Sequence, residues 1–242
     1  MIKVLVSGAA GRMGREVVTA VSAQRDMVVA AQIDIGDDLR AALAAAAPDV
    51  AIDFTTPASA YANARAIIEA GVRPVIGTTG LTPDEVGALV ALAGSARLGG
   101  VIAPNFAIGA VLLMHYAAHA ARFLPRAEII ELHHDAKIDA PSGTARMTAE
   151  RMAAARGLAP AAPHDARGGF RGGAVGGIPI HSVRLEGFVA HQEVIFGAQG
   201  QALTLRHDSF NRESFMPGVV LAVRESMRLD RVVVGLEKIL GL

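Results

Sequence analysis

MIKVLVSGAAGRMGREVVTAVSAQRDMVVAAQID, residues 1–34, is the stretch on which the fold turns. IKVLVSG (2–8) is an almost unbroken apolar run, the pattern of a strand covered on both faces. It feeds Gly8-Ala9-Ala10-Gly11-Arg12-Met13-Gly14, then a helical pattern over 12–23, then a second strand-like run, MVVAAQID (27–34). The spacing G-x-x-G-x-x-G is a relative of the G-x-G-x-x-G dinucleotide fingerprint. Its glycines allow a tight turn and bring the backbone close to a pyrophosphate, while the helix start offers N–H groups and partial positive charge. Asp34 follows Gly14 by 20 residues, where an acid accepts hydrogen bonds from an adenosine ribose. A tight turn and an ordinary strand-end acid are the plainer reading of the same residues. The strand before, the helix after and the spacing of Asp34 favour dinucleotide binding. Two cues on the type of dinucleotide oppose each other. Arg12 would pair with a 2′-phosphate, which Asp34 would repel while accepting a ribose diol. Use of both NADH and NADPH is therefore expected.

Working outward, the alternation continues. DVAIDFT (49–55), RPVIGTT (73–79) and GGVIAPN (99–105) read as strands, with helical patterns at 37–46, 58–70 and 82–94. Strands alternating with helices predict a doubly wound parallel sheet, with ligands at the carboxyl ends of its strands. After Asn105 the texture changes. A helical run (108–124) leads to AEIIELHH (127–134), and a second helical run covers 143–156. A Pro/Gly-rich stretch from Leu158 to Pro179 reads as a mobile or functional loop, with Arg167 and Arg171 in a cover over ligands or in a solvated linker. HSVRLEG (181–187), AHQEVIFGA (190–198) and ALTLRHDS (202–209) then read as a meander, and 214–228 and on to 242 as helix. The expected fold class is α/β. A Rossmann-like dinucleotide-binding domain spans 1–106 and is completed by 215–242. An α+β substrate-binding domain with a mixed or antiparallel open sheet spans 107–214.

Composition narrows the function classes. Lys plus Arg equals Asp plus Glu at 23 each over 242 residues, so no basic excess marks a nucleic-acid binder. No apolar run approaches the ~20 residues of a membrane span, and the first residues enter a strand without the pattern of a signal peptide. A cytoplasmic protein is expected. With no Cys there is no thiolate nucleophile and no Cys-ligated metal, which excludes thiolate-dependent semialdehyde dehydrogenases. Only Lys3, Lys137 and Lys238 are lysines, against 20 arginines. A Lys can lose its proton at working pH and an Arg cannot, which draws attention to Lys137 beside two histidines.

The densest run of chemistry is Glu131-Leu132-His133-His134-Asp135-Ala136-Lys137-Ile138-Asp139-Ala140-Pro141-Ser142-Gly143-Thr144-Ala145. Ser142 stands where it would cap a helix. The N–H groups of Gly143 and Thr144 would then face an external anion, with Lys137 as counter-charge. His133, His134 and Lys137 supply a proton donor and cationic hydrogen-bond donors. A polar loop with capping histidines is the plainer alternative, and it explains fewer of these residues.

This run resembles the E-x-H-H-x-x-K-x-D-x-P-S-G-T-A signature of the 4-hydroxy-tetrahydrodipicolinate reductase (dihydrodipicolinate reductase) family. GAAGRMG, VAIDFTTP, VIGTTG, APNFAIG, IPIHSVRLEGFVAHQEVIFG and LTLRHDSFNRESFMPG resemble further motifs of that family, so the likeness covers nearly the whole chain. It implies an NADH- or NADPH-dependent oxidoreductase of lysine and diaminopimelate biosynthesis, which reduces 4-hydroxy-tetrahydrodipicolinate to tetrahydrodipicolinate with loss of water. By the same resemblance His133 is the proton donor and Lys137 its charged partner. His134 is a substrate ligand, and Gly143 and Thr144 bind a substrate carboxylate through their backbone. Gly8, Ala9, Ala10, Gly11, Arg12, Met13, Asp34, Gly77, Thr78, Thr79, Ala103, Pro104, Asn105 and Phe106 are implied cofactor contacts. A small dicarboxylate substrate and a homotetramer joined through the substrate-domain sheets are also implied; no metal is expected, since the chain lacks Cys and a histidine cluster with a third ligand. One departure is informative: many members carry an Arg directly after the ribose-binding acid, favouring NADPH, and here Ile35 follows Asp34.

The remaining histidines read as structural. His115 and His119 sit four apart on a helical pattern without a third metal ligand. His181, His191 and His207 fall on strands, with Arg206 and His207 within reach of the site. The alternatives are a nicotinamide-dependent reductase of another small acid and a non-catalytic dinucleotide sensor. The sensor would not need the HHDAK–PSGT run.

Overall fold

The computed structural model describes residues 1–157 and 172–242. The expected loop over 158–179, with Arg167 and Arg171, lies outside the described residues as far as residue 171. Two units result: Met1–Ile108 with Arg212–Leu242, and Gly109–Asn211.

In the first unit β1 (Ile2–Ser7), β2 (Met27–Ile33), β3 (Val50–Asp53), β4 (Arg73–Ile76) and β5 (Gly100–Ile102) alternate with α1 (Arg12–Ser22), α2 (Leu39–Ala46), α3 (Pro57–Glu69) and α4 (Pro83–Ser95). Val4, Leu5 and Val6 are all fully buried, as helices on both faces require. On one side Leu5, Ala51 and Ile76 pack with Ile67 and Leu89 of α3 and α4. α4 starts where the sequence says it should: Thr82 accepts from the Glu85 N–H, Glu85 answers to the Thr82 N–H, and Pro83 follows the cap.

The expected all-helical C-terminus is corrected. After α7 (Met216–Ser226), Val232–Val234 form a strand parallel to β5, followed by α8 (Glu237–Leu240). Counting the strands of both units in chain order, this is β11, and the sheet runs β11-β5-β4-β3-β1-β2, parallel throughout. Strand order reverses between β1 and β3. A crevice opens at such a point in a doubly wound sheet.

The second unit holds α5 (Ile108–Ala120, which begins one residue earlier), β6 (Arg126–His133), α6 (Gly143–Arg156), β7 (Gly173–Val175), β8 (Ile178–Arg184), β9 (Ala190–Ala198) and β10 (Gln201–Ser209). The sheet order is β10-β9-β6-β8-β7. The meander is therefore corrected too: β8 pairs with β6 in parallel and β9 pairs with β6 on its other side, so the sheet is mixed. Part of the Pro/Gly-rich stretch is regular structure. β7 and β8 form a hairpin over Gly176 and Gly177, with φ of 58° and 75°, as a tight two-residue turn demands. Odd-numbered β6 residues face a core built from Leu113 and Ala117 of α5, Ala145, Ala149 and Met152 of α6, and Ile129, Val194 and Phe196 of the sheet. The opposite sheet face carries ion pairs, His181–Glu128 at 2.8 Å and Arg206–Glu193 at 3.1 Å.

Candidate active site

The first unit builds a dinucleotide cradle. Gly8 leaves β1 at φ +81°, where a Cβ would lie 2.5 Å from the Phe54 carbonyl oxygen. The N–H groups of Gly8 and Ala9 both donate to the Ile33 carbonyl, at 2.9 and 3.0 Å, and so seat the loop on the end of β2. Gly14 packs α1 onto this loop: a Cβ there would lie 2.0 Å from the Gly8 carbonyl oxygen. α1 begins at Arg12 with no side-chain cap and no acidic residue in its first turn. Such a start presents N–H groups and partial positive charge to an anion. Asp34 accepts from the Ala10 N–H at 2.6 Å and the Ile35 N–H at 2.8 Å. Those backbone donors, Ile35 first and then Ala10, lower its pKa, so it stays an acceptor for hydroxyls. The loop, the uncapped helix and the acid fit a nicotinamide dinucleotide.

The later strand ends are tied together from beneath. Asp53, fully buried, accepts from the Thr55 hydroxyl at 2.9 Å, the Asn63 amide at 2.9 Å and the Thr78 hydroxyl. The loops after β3 and β4 thus share one carboxylate. The Thr78 side chain is committed to Asp53 and only 8% exposed, so of the implied contacts here Gly77 and Thr79 are the accessible ones. Ala103 and Phe106 are also buried, with Phe106 against the Phe54 ring at 5.8 Å, whereas Pro104 is exposed and Asn105 half-buried.

In the second unit residues of the 131–145 run gather around a side chain to which the sequence assigns no role. Glu131 is fully buried. Its Oε2 meets Nδ1 of His133. Arg184 donates to both of its oxygens, at 2.9 and 2.8 Å, and the Ser142 N–H reaches Oε1 at 3.3 Å. Burial alone would raise the Glu131 pKa, but hydrogen bonds from His133, Arg184 and Ser182 outweigh it and hold the carboxyl at about 2. A signal was present. Residues two apart on a strand share a face, so His133 implied Glu131 at its side.

The loop between β6 and α6 carries the rest. Lys137 donates to Asp139 at 2.6 Å, and the Asp139 carbonyl accepts from Arg184 Nη2 at 2.6 Å. Ser142 caps α6 as expected, accepting from the Ala145 N–H at 3.2 Å. Gly143 and Thr144 form the first turn of α6, and Thr148 behind them donates to the Thr144 carbonyl at 2.8 Å. His134 stands half-buried at the head of the loop. A cavity of about 410 Å³ adjoins, lined by Pro141, Arg146, Val175, Ile180 and Ser182 among others. Arg206, expected within reach, lies on the other sheet face, paired with Glu193 and Asp208. His191 is held by Asp208 at 2.7 Å, and His207 packs where a Cβ on Gly109 would meet its ring.

A parallel sheet with a glycine loop that fits a dinucleotide, together with a separate unit that gathers histidines and cations at a helix start, is the equipment of a nicotinamide-dependent oxidoreductase. Models of the dihydrodipicolinate reductase family match the chain at residues 2–106, for the family's N-terminal part, and 109–240, for its C-terminal part. The chain belongs to the dihydrodipicolinate reductase family. It is 49% identical to the 4-hydroxy-tetrahydrodipicolinate reductase of Moorella thermoacetica, over 99% of this chain and 98% of that one. It is 47% identical to the enzyme of the same name from Listeria innocua, over 99% and 100%. Among solved structures, a dipicolinate-bound dihydrodipicolinate reductase from Paenisporosarcina sp. TG-14 superposes with a TM-score of 0.90 at 42% identity, over 98% of this chain and 99% of that one. An amine dehydrogenase from Mycobacterium smegmatis, 14% identical with a TM-score of 0.67 over 98% and 95% of the two chains, shares the fold.

Proposed function

We propose that this chain reduces 4-hydroxy-tetrahydrodipicolinate, with loss of water, to tetrahydrodipicolinate on the route to diaminopimelate and lysine, using either NADH or NADPH. The observation that carries this reading is His133, held through Nδ1 by a buried, ionised carboxylate at the strand end that leads to the Lys137 loop and the α6 start. A dicarboxylate needs such a combination of cation and helix N–H groups.

The bound nicotinamide supplies the hydride. The backbone of Gly143 and Thr144 holds one substrate carboxylate, and Lys137 and His134 neutralise the remaining negative charge. Loss of the C4 hydroxyl with a proton from the neighbouring ring carbon, as water, gives the conjugated unsaturated ring, and hydride addition at its C4 would leave an enamine-type anion. His133 delivers the balancing proton from Nε2, and its positive charge stabilises the anion as it forms. Gly8, Ala9, Ala10, Gly11 and Met13 hold the pyrophosphate, Arg12 the 2′-phosphate of NADPH and Asp34 the adenosine ribose. Gly77, Thr79, Pro104 and Asn105 line the cofactor's path beyond the loop. Arg12 and Asp34 oppose each other on the 2′-phosphate, which is the ground for dual cofactor use. Subunits join as a homotetramer through the sheet face opposite α5 and α6.

The test is oxidation of NADH and of NADPH by purified protein, with substrate made in situ from pyruvate and aspartate semialdehyde by the upstream synthase. Turnover with both cofactors that depends on the synthase is expected. Tight cofactor binding without turnover would instead support a dinucleotide sensor or a different acid substrate. His133→Gln should lower turnover by about 10²–10⁴-fold, with a smaller change in substrate KM.

A further inference from the structure

Glu131 is where the substrate unit converges. It sits on the α6-facing side of β6 with no exposed surface, an expensive place for a carboxylate unless every oxygen is used. Here both oxygens are used. Oε2 takes the His133 ring and one Arg184 nitrogen, and Oε1 takes the other Arg184 nitrogen and the Ser142 N–H. An ionised carboxylate only accepts, so Nδ1 of His133 must carry the hydrogen. Nε2 is then the nitrogen left to face a ligand, and no described residue bonds to it. Arg184 extends the arrangement: the Nη2 that binds Glu131 also binds the Asp139 carbonyl, and Asp139 holds Lys137. One buried carboxylate therefore touches the candidate acid, the peptide that starts the anion-binding helix turn, and the arginine that secures the lysine loop.

We propose that Glu131 and Arg184 are positioning residues for the reduction. Glu131 locks His133 in the form with hydrogen on Nδ1, and Arg184 keeps Glu131 in place while anchoring the loop that carries Lys137. A salt bridge that served packing alone would not need an imidazole at one oxygen and a helix-start amide at the other. The proposal rests on His133 being the proton donor, and it divides the labour in a measurable way. Glu131 governs how well the proton is delivered, whereas Arg184 governs that and also how well the dicarboxylate is held.

The first measurement needs no variant. Nitrogen-15 shifts of the His133 ring, recorded in the wild-type protein above the imidazole titration, should show a pyrrole-type Nδ1 and a pyridine-type Nε2. The reverse assignment overturns the role of Glu131, whether or not any variant folds. The second is steady-state kinetics on E131Q, R184K, H133A and E131Q/H133A. E131Q should lower kcat by about 10²–10⁴-fold, the upper end being the loss when a catalytic histidine loses the carboxylate that fixes its tautomer, with substrate KM nearly unchanged. R184K cannot make the bidentate contact, so it should lower kcat and raise substrate KM together. E131Q should cost nothing further in kcat once His133 is already alanine. A fully active H133A refutes the proton-donor reading itself. An impaired H133A beside a silent E131Q, or equal losses from E131Q with and without His133, overturns the positioning role alone.

Discussion

Lys137 and Asp139 form an ion pair at 2.6 Å, with the lysine side chain 21% exposed and the aspartate 60%. The only mid-chain lysine is therefore already neutralised by a carboxylate of its own loop, and under the proposed role of Lys137 an incoming dicarboxylate would have to share or displace it. Asp139 is itself held below its ordinary pKa, first by the hydrogen bond from Lys137, so the pair persists through neutral pH.

Removing the competitor should strengthen substrate binding. Exposed ion pairs contribute about 0–1 kcal/mol, so Asp139→Asn should lower KM for the dicarboxylate, or Kd for dipicolinate, by up to about 5-fold. The Asp139 carbonyl that Arg184 binds is untouched by the change. A raised KM would show that Asp139 orients Lys137 rather than competing for it.

Arg12→Ala should separate the two cofactors. The residue is exposed at the first position of α1, beside the loop that Asp34 closes. A lost charge-assisted contact to a 2′-phosphate weakens NADPH by roughly 10-fold and NADH by much less. Fluorescence titration with each cofactor reads the difference directly, and equal losses would remove Arg12 from cofactor selection.

Two glycines should respond in opposite directions. Gly14→Ala places a methyl 2.0 Å from backbone, which forces the phosphate loop from α1. A destabilisation of about 1–3 kcal/mol and weakened dinucleotide binding are expected. Gly87 in α4 has open space around it, so Gly87→Ala should stabilise by about 0.5–1 kcal/mol. Denaturant unfolding of both variants checks the pair.

Acid should unfold the protein partly through Glu131. Its pKa drops from 4.5 to about 2 on folding, so its contribution is complete above about pH 4.5 and fades as pH falls toward 2. The full effect is on the order of 3 kcal/mol. Unfolding free energies measured between pH 2 and 6 should show a flatter slope for Glu131→Gln than for wild type.

The first unit was legible because its strands are continuous apolar runs separated by helices that announce themselves with caps and prolines. β11 was not. Three residues, Val232–Val234, are too few to show a period, and only pairing with β5 makes them a strand. The parallel contact of β6 with β8 was hidden for a different reason. Adjacent strand-like runs read as neighbours in space, whereas β6 comes from earlier in the chain and inserts between β8 and β9. At the site the HHDAK–PSGT run pointed to His133, Lys137 and the α6 start. Arg184 lies 53 residues from Glu131, and no local pattern connects them.

Asp34 bears on how cofactor preference can evolve or be engineered in this scaffold. Its carboxylate is also a clasp, joining Ala10 in the phosphate loop to Ile35 beyond β2. Exchanging the acid for a neutral residue to welcome a 2′-phosphate would unfasten the loop that any nicotinamide dinucleotide needs. Ile35, 96% exposed and adjacent, offers the cheaper route. A cation added there changes preference by accretion and leaves the clasp shut.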